Sequence, residues 1–323
     1  MVMPAFNAEG TIERSILSVL SQTRSDLELV VVDDGSVDGT SEIVHSYCLQ
    51  DQRIRVVRHE RNRGVSEAIN SGVAASTFDR IAILAADDEF APNFVELLHR
   101  RFTRDVDVVI FGHSIVRPDN SELVVSAGKS GVHTGREAAI LAMWDRISGL
   151  SGGTVVKRTL MLEVPFPSGL RRYEDLATNI ALFSWARTVF VLDEPAYRYF
   201  VRDDSATWGR LASADEVEAA LRFLHQKLNP LVKGAQVEAA FDGLRLLCLL
   251  VSAQSAMHRD KMSPEDEAHV RHCAKAITWP QVVGTLRRRP DLALGAVLLK
   301  TSRTSYGKLY RRYAAHRYRP GTS

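Results

Sequence analysis

Cysteine is scarce: Cys48, Cys248 and Cys273 lie scattered through 323 residues, in neither CxxC nor Cys/His spacing. That argues against a disulfide framework or a zinc site and fits a reducing compartment. No uninterrupted apolar run reaches the ~18 residues a membrane-spanning helix requires. Pro4 and Asn7 break up the first apolar residues and no basic stretch precedes them, so no secretory leader is expected. The chain is therefore expected in the cytoplasm. Internal repeats and low-complexity stretches are also lacking. At 45% hydrophobic and 25% charged, the chain reads as globular, with one sizeable core and room for a smaller module.

An excess of either charge is lacking overall, at +2, but the balance is uneven. Residues 281–323 hold ten Lys/Arg and one acidic residue, Asp291, a net of +9, which leaves −7 for the preceding 280. A basic tail on a mildly acidic body points to a negatively charged partner surface. An anionic membrane, reached from the cytoplasmic side, is one candidate. Leu292, Leu294, Val297, Leu298 and Leu299 would offer it an apolar stripe, with Tyr306, Tyr310, Tyr313 and Tyr318 at the interface. A solvated helix face or a contact to another subunit is the alternative.

What is present along the first 110 residues is an alternation of short apolar runs and helical patterns. Residues 27–32, 54–57, 80–84 and 106–111 read as strands, with 1–3 as a short first one. Either the chain starts late or the fold tolerates a stub there. Helical spacing lies between them, which is the pattern of a mainly parallel sheet covered on both faces. Further helices are expected from Pro92, over 136–147 and over 174–186, and a strand over 189–192. Beyond about residue 210 the strand signals stop, and Ser213-Ala214-Asp215-Glu216 and Ser263-Pro264-Glu265-Asp266 read as helix starts. This divides the chain into an α/β domain, 1–208, and a helical region, 209–323, with a boundary near Gly209.

In such sheets ligands sit beyond the carboxyl ends of the strands. Strand 27–32 ends in Asp33-Asp34-Gly35-Ser36, and strand 80–84 in Ala85-Ala86-Asp87-Asp88. Adjacent carboxylates at a strand end are costly to bury unpaired. The first pair suits a base N–H or ribose hydroxyls, and the second a divalent cation shared with a diphosphate. Each pair alone could be a polar turn or a helix-start charge cluster; two on one sheet favour a ligand. His59 and His113 are expected at the surface or in loops.

Pro4-Ala5-Phe6-Asn7, the run Ser18–Thr23, Val32-Asp33-Asp34-Gly35-Ser36 and Asn62-Arg63-Gly64-Val65-Ser66 with Asn70 resemble the nucleotide-binding half of family 2 glycosyltransferases. Asp87-Asp88, Tyr173-Glu174-Asp175 and Tyr197-Arg198 with Ser205 continue the resemblance to about residue 208. It implies the GT-A fold, a mixed, mainly parallel Rossmann-like sheet, here with a helical C-terminal region. The implied activity is inverting transfer of a sugar from a nucleotide-sugar, with UDP the commonest base, to an acceptor hydroxyl. The setting it implies is cell-surface polysaccharide or glycan synthesis, with a glycan or lipid-linked acceptor and no nucleic acid.

The resemblance also assigns roles. Asp34 would meet the base, Pro4 and Phe6 would frame it, and Asp33 or Ala5 would lie nearby. Asn7, Asn62, Gly64 and Ala86 would complete the nucleotide side. Asp87 would hold Mn²⁺ or Mg²⁺, and Asp175 would be the general base. Asp88, Glu174, Arg198, Arg202 and Ser205 are further candidates. Two departures stand out: Ala85 replaces the first Asp of the usual D-x-D, and Ile69 stands where many relatives carry Arg. Ala85 motivates the rival reading of a non-catalytic nucleotide-binding domain. A dehydrogenase would need GxGxxG after the first strand, and a nucleotidyltransferase a glycine-rich signature there; neither occurs.

Overall fold

The computed structural model describes residues 1–101, 105–201, 212–257 and 262–318, with side chains described to residue 313. The first strand, β1 (Val2–Ala5), pairs in parallel with β2 (Leu29–Asp33) over four residues, and β2 pairs in parallel with β3 (Ile54–Arg58). β1 is thus short but fully paired. The helices α1 (Ile12–Leu20), α2 (Thr40–Gln50) and α3 (Val65–Ala75) follow the strands in turn. α3 lies close against the sheet because Gly72 has no side chain; a Cβ there would sit 2.4 Å from Val2 Cγ1.

β4 (Arg80–Ala82) leads to the second half, and the backbone beyond it joins the first through Leu84 N donating to Val2 O at 3.0 Å. β5 (Glu89–Phe90) and α4 (Phe94–Arg101) come next, then the buried strand β6 (Val108–Val116). Three four-residue strands were not foreseen: β7 (Glu122–Val125), β8 (Gly131–Thr134) and β9 (Thr154–Lys157). β9 runs antiparallel between β4 and β6. The long β10 (Thr188–Phe200) runs parallel to β6 with a register shift around Pro195. The sheet is parallel in its first half and mixed in its second, as the GT-A reading implies.

α5 (Gly135–Met143), α6 (Arg158–Glu163) and α7 (Glu174–Trp185) cover the second half. The C-terminal helices are α8 (Ala214–Lys227), α9 (Ala235–Met257), α10 (Pro264–Ala276), α11 (Trp279–Leu286), α12 (Pro290–Thr301) and α13 (Arg303–Tyr318). Both expected helix starts form, each with a capping box, Ser213 accepting from Glu216 N and Ser263 from Asp266 N at 3.1 Å. The boundary expected near Gly209 lies outside the described residues. On either side of it one core is continuous: Ala138, Ala142 and Phe183 of the body join Leu244, Leu249 and Ala253 of α9. α9 is long and apolar enough to cross a membrane, yet its window is 61% buried, as befits the core of this bundle.

The apolar stripe expected to meet a membrane turns inward. Leu299 is fully buried, Leu292, Val297 and Leu298 pack against the shared core, and Tyr306 and Tyr310 are buried. Each apolar side chain so buried contributes about 1.5–3 kcal/mol, so the core outcompetes solvent for that face. Leu294 and Tyr313 remain exposed. Arg289 is likewise buried, paired with Asp291 at 2.8 Å and donating to Trp144 O at 2.6 Å.

Candidate active site

The loops after β1 and β2 are laced together by hydrogen bonds. Asp34 N donates to Ala5 O (2.8 Å), Asn7 N to Ser36 Oγ (3.0 Å) and Val37 N to Asn7 Oδ1 (3.0 Å). Asn7 adopts φ 48°, a left-handed conformation that Asn tolerates better than most side chains. Pro4 and Ala5 are strand residues, and Phe6 stands 47% exposed on this rim, its ring open to a planar ligand. Gly35 adopts φ 76°, and a Cβ there would lie 2.6 Å from the Arg61 carbonyl carbon. Only glycine lets the loop after β3, with exposed Asn62, approach so closely.

Asp33 and Asp34 are both buried, and both hold these loops. Asp33 accepts from Ser36 N (2.9 Å) and Ser41 Oγ, with Arg58 at 3.5 Å. Burial alone would raise its pKa, but those hydrogen bonds outweigh it and hold the carboxyl below its usual range. Asp34 receives His59 Nδ1 (2.6 Å), Arg63 N (2.9 Å) and Gly64 N (2.8 Å). His59 is buried and not a surface residue; its Nε2 lies 2.9 Å from Ser71 Oγ, completing an Asp34–His59–Ser71 chain. His113 is placed within β6. Asn70 is bonded both ways to the Phe166 backbone, and Ile69 lies in the core.

Just past β4, Ala86 and Asp88 are buried and Asp87 is half-buried. Asp88 accepts from Tyr197 Oη (2.6 Å) and Phe200 N (2.9 Å). Burial, with the charge of Asp87, pushes its pKa up to about 7. Arg14 donates to Asp87 O (2.6 Å), pairs with Glu89 (3.1 Å) and lies over the Phe200 ring at 3.7 Å. Arg198 is held between Glu89 and Glu122, the latter at 2.7 Å. Arg202 and Ser205 lie outside the described residues.

Glu174 and Asp175 form the first turn of α7, behind Tyr173 at φ 61°. Tyr173 Oη donates to Cys248 O at 2.9 Å, tying this helix start to α9. Leu176 N donates to Asp175 Oδ1 at 2.6 Å. Asn179 reaches Gly149 O (3.0 Å) and Ser151 Oγ (3.2 Å). From the same segment Gly152 bridges Ile83 beyond β4, and a Cβ on it would meet the Tyr197 ring at 2.8 Å. Residues 149–153 thus join α7, which starts with Glu174 and Asp175, to the chain just past β4 and to the tyrosine that holds Asp88.

A helix start by itself favours an ionised carboxylate, but at Asp175 desolvation prevails. Burial raises the Asp175 pKa despite its backbone hydrogen bonds, and raises Glu174 to about 7 with help from the Asp175 charge. Burial wins over the helix dipole because the dipole is worth typically only ~0.3–1 kcal/mol. An elevated pKa makes a better proton acceptor near neutral pH.

Among the described residues no group of three or more His, Cys, Asp or Glu is gathered to cage a metal. One half-buried carboxylate, Asp87, fits a hard cation that takes its other ligands from substrate phosphates and water. Arg14 and Asn179 are site residues that the sequence did not single out; Tyr197 entered only as part of a motif, and His59 was expected at the surface or in a loop. Their roles rest on partners distant in sequence, 112 positions for Tyr197 and Ala85 at 3.4 Å. A cavity of about 580 Å³ beside Arg101, Phe190 and Asp193 contains none of these acids.

A parallel half-sheet with acidic strand ends, joined to a mixed half that carries the helix-borne acids, defines a GT-A glycosyltransferase fold. The S. aureus TarS 1–349 structure in complex with UDP-GlcNAc resembles it at a TM-score of 0.66 and 17% identity, over 98% of this chain and 91% of that one. The mannosyltransferase PcManGT of Pyrobaculum calidifontis, in complex with GDP-Man and Mn²⁺, resembles it at 0.53 and 17%, over 97% and 85%. These likenesses are of fold, and they extend through the C-terminal helices.

Residues 1–171 match the Glycosyl transferase family 2 profile, and the chain belongs to that family of enzymes. Glycosyltransferase GlyG of Streptococcus pneumoniae is 28% identical over 217 residues, covering 64% of this chain and 71% of that protein. Across several such relatives the chain spans from 59% to 83% of their length.

Proposed function

We propose that the chain transfers a sugar from a nucleoside-diphosphate-sugar, a UDP-sugar, to an acceptor hydroxyl of a glycan or lipid-linked glycan, with inversion. The observation that carries this is that residues 149–153, held to α7 by Asn179, bridge Ile83 and pack against Tyr197, which holds Asp88, so the helix start carrying Asp175 adjoins the segment carrying Asp87. That sets a diphosphate-side carboxylate near a proton acceptor of raised pKa. The UDP-GlcNAc of the TarS structure supports a uridine donor, with the base against Phe6 and the Pro4–Asn7 rim. Asp33 and Asp34 shape that pocket by fixing its loops.

In the reaction Asp175 takes the proton of the acceptor hydroxyl as its oxygen attacks the anomeric carbon. The carbon–oxygen bond to the diphosphate breaks in the same displacement, so the configuration inverts. Asp87 would hold Mn²⁺ or Mg²⁺, a reading the Mn²⁺ of the PcManGT structure supports, and the cation would supply charge neutralisation at the departing diphosphate. Asp88, held by Tyr197, orients Asp87 from behind.

The test is a panel of UDP- and GDP-sugars with Mn²⁺ or Mg²⁺, following nucleoside diphosphate release and the anomeric configuration of the product. Release from a UDP-sugar with an inverted product is expected; a retained product contradicts the reading. In calorimetry, Asp87→Ala is expected to lose the metal-dependent part of UDP binding. Unchanged binding of UDP with Mn²⁺ removes Asp87 from the metal site.

A further inference from the structure

The basic C-terminal region has an exposed apolar face, but on a different helix from the one the sequence singled out. α11 reads Trp-Pro-Gln-Val-Val-Gly-Thr-Leu and contains no charged residue. Val282 and Thr285 turn inward, while Gln281 fixes the helix to α9 by accepting from Arg245 (3.0 Å) and donating to Asp242 (3.2 Å). On the outer side Trp279, Val283 and Leu286 are 51%, 68% and 55% exposed. Their i, i+4, i+7 spacing puts them in one row on one helix face.

That row ends in exposed Arg287 and Arg288. Lys300 Nζ lies 5.5 Å from the Trp279 ring centroid at its other end. Arg288 also lines a cleft of about 300 Å³ with Arg146, Gln236 and Trp144, so two guanidinium groups border a recess with an aromatic wall. Arg146 donates to Arg288 O at 2.9 Å, which places the two arginines side by side.

We propose that this face docks the protein on an anionic lipid bilayer, with Trp279, Val283 and Leu286 entering the interface and Arg287 and Arg288 meeting lipid phosphates. Three observations select that partner. The residues from 281 onward carry a net +9, which calls for negative charge. The exposed row is uncharged and includes tryptophan, which suits the boundary between headgroup and acyl chain. A second copy docked by the same face across a two-fold axis would bring two such positive surfaces together, which is repulsive. The inference does not depend on the reaction proposed above.

The experiment is vesicle flotation of the full chain with phosphatidylcholine alone and with added phosphatidylglycerol. Binding to the anionic vesicles, weakened by salt, is expected. The Trp279→Ser/Val283→Ser/Leu286→Ser variant and the Arg287→Glu/Arg288→Glu variant should each lose about tenfold or more in binding, with unchanged thermal melts. Because a triple change could itself disturb folding, Trp279→Phe gives an independent reading. It should retain binding but lose most of the vesicle-induced blue shift and brominated-lipid quenching of tryptophan emission. The proposal is overturned if wild type ignores anionic vesicles, if a folded triple variant floats like wild type, or if wild-type emission is neither shifted nor quenched. Sedimentation showing that this face holds a dimer, dissolved by the triple variant, overturns it as well.

Discussion

Asp33 and Asp34 at the end of β2, and Glu174 and Asp175 at the start of α7, are adjacent acids at the ends of secondary-structure elements. Their surroundings treat them in opposite ways. Around Asp33 and Asp34 the chain supplies serine, histidine and backbone donors, and Asp33 is held in its ionised form. Glu174 and Asp175 are half-buried with fewer donors, and desolvation raises both pKa values. The first pair holds loops in place, and the second is the one proposed to take up a proton. The residue type alone distinguishes neither role; the number of donors aimed at each carboxylate does.

The sharpest way to break this contrast on the donor side is Asp34→Ala. It strands three donors, of which His59 is buried, and a loss of about 2–4 kcal/mol in chemical denaturation is expected, along with weaker metal-free UDP binding. An unchanged denaturation midpoint with lost UDP binding would make Asp34 a ligand contact only. Gly35→Ala attacks the same loops through the backbone, where the positive φ and the Arg61 contact should cost about 1–3 kcal/mol. A melt within error of wild type would show that the loop yields freely.

Glu174→Gln tests the other side, with a smaller effect that depends on pH. The Glu174 pKa is raised from 4.5 to about 7, so its contribution to stability is full below about 4.5 and is lost as pH rises through about 7. The glutamine variant should therefore match wild type in acid and gain on the order of 1 kcal/mol on it above neutrality. A stability difference that does not change with pH would deny the raised pKa.

The sequence exposed the first half of the sheet because the strands there are apolar runs that end in paired acids. β7, β8 and β9 escaped notice because four residues hold too few periods to distinguish a strand from a loop. The apolar character of α12 was legible but not its direction, since the same leucines can face a core or a bilayer. The exposed row on α11 was missed because its periodicity resembles that of any packed helix. His59 and Tyr197 became site residues only through partners that the fold brings to them, Asp34 and Ser71 for one and Asp88 for the other. The helix-start position of Asp175 was readable, but its burial, which sets its proton affinity, was not.

Turnover of Asp175→Asn, set beside its UDP affinity, tests the division of labour between the two acidic pairs most directly. The variant keeps the side-chain shape and the oxygen that accepts from Leu176 N, and removes only the capacity to take up a proton. A general base predicts that kcat falls by about 10²–10⁴-fold while UDP binding and the thermal melt stay near wild type. Turnover within a few-fold of wild type would contradict the account and leave Glu174 and Asp175 as structural acids at a helix start.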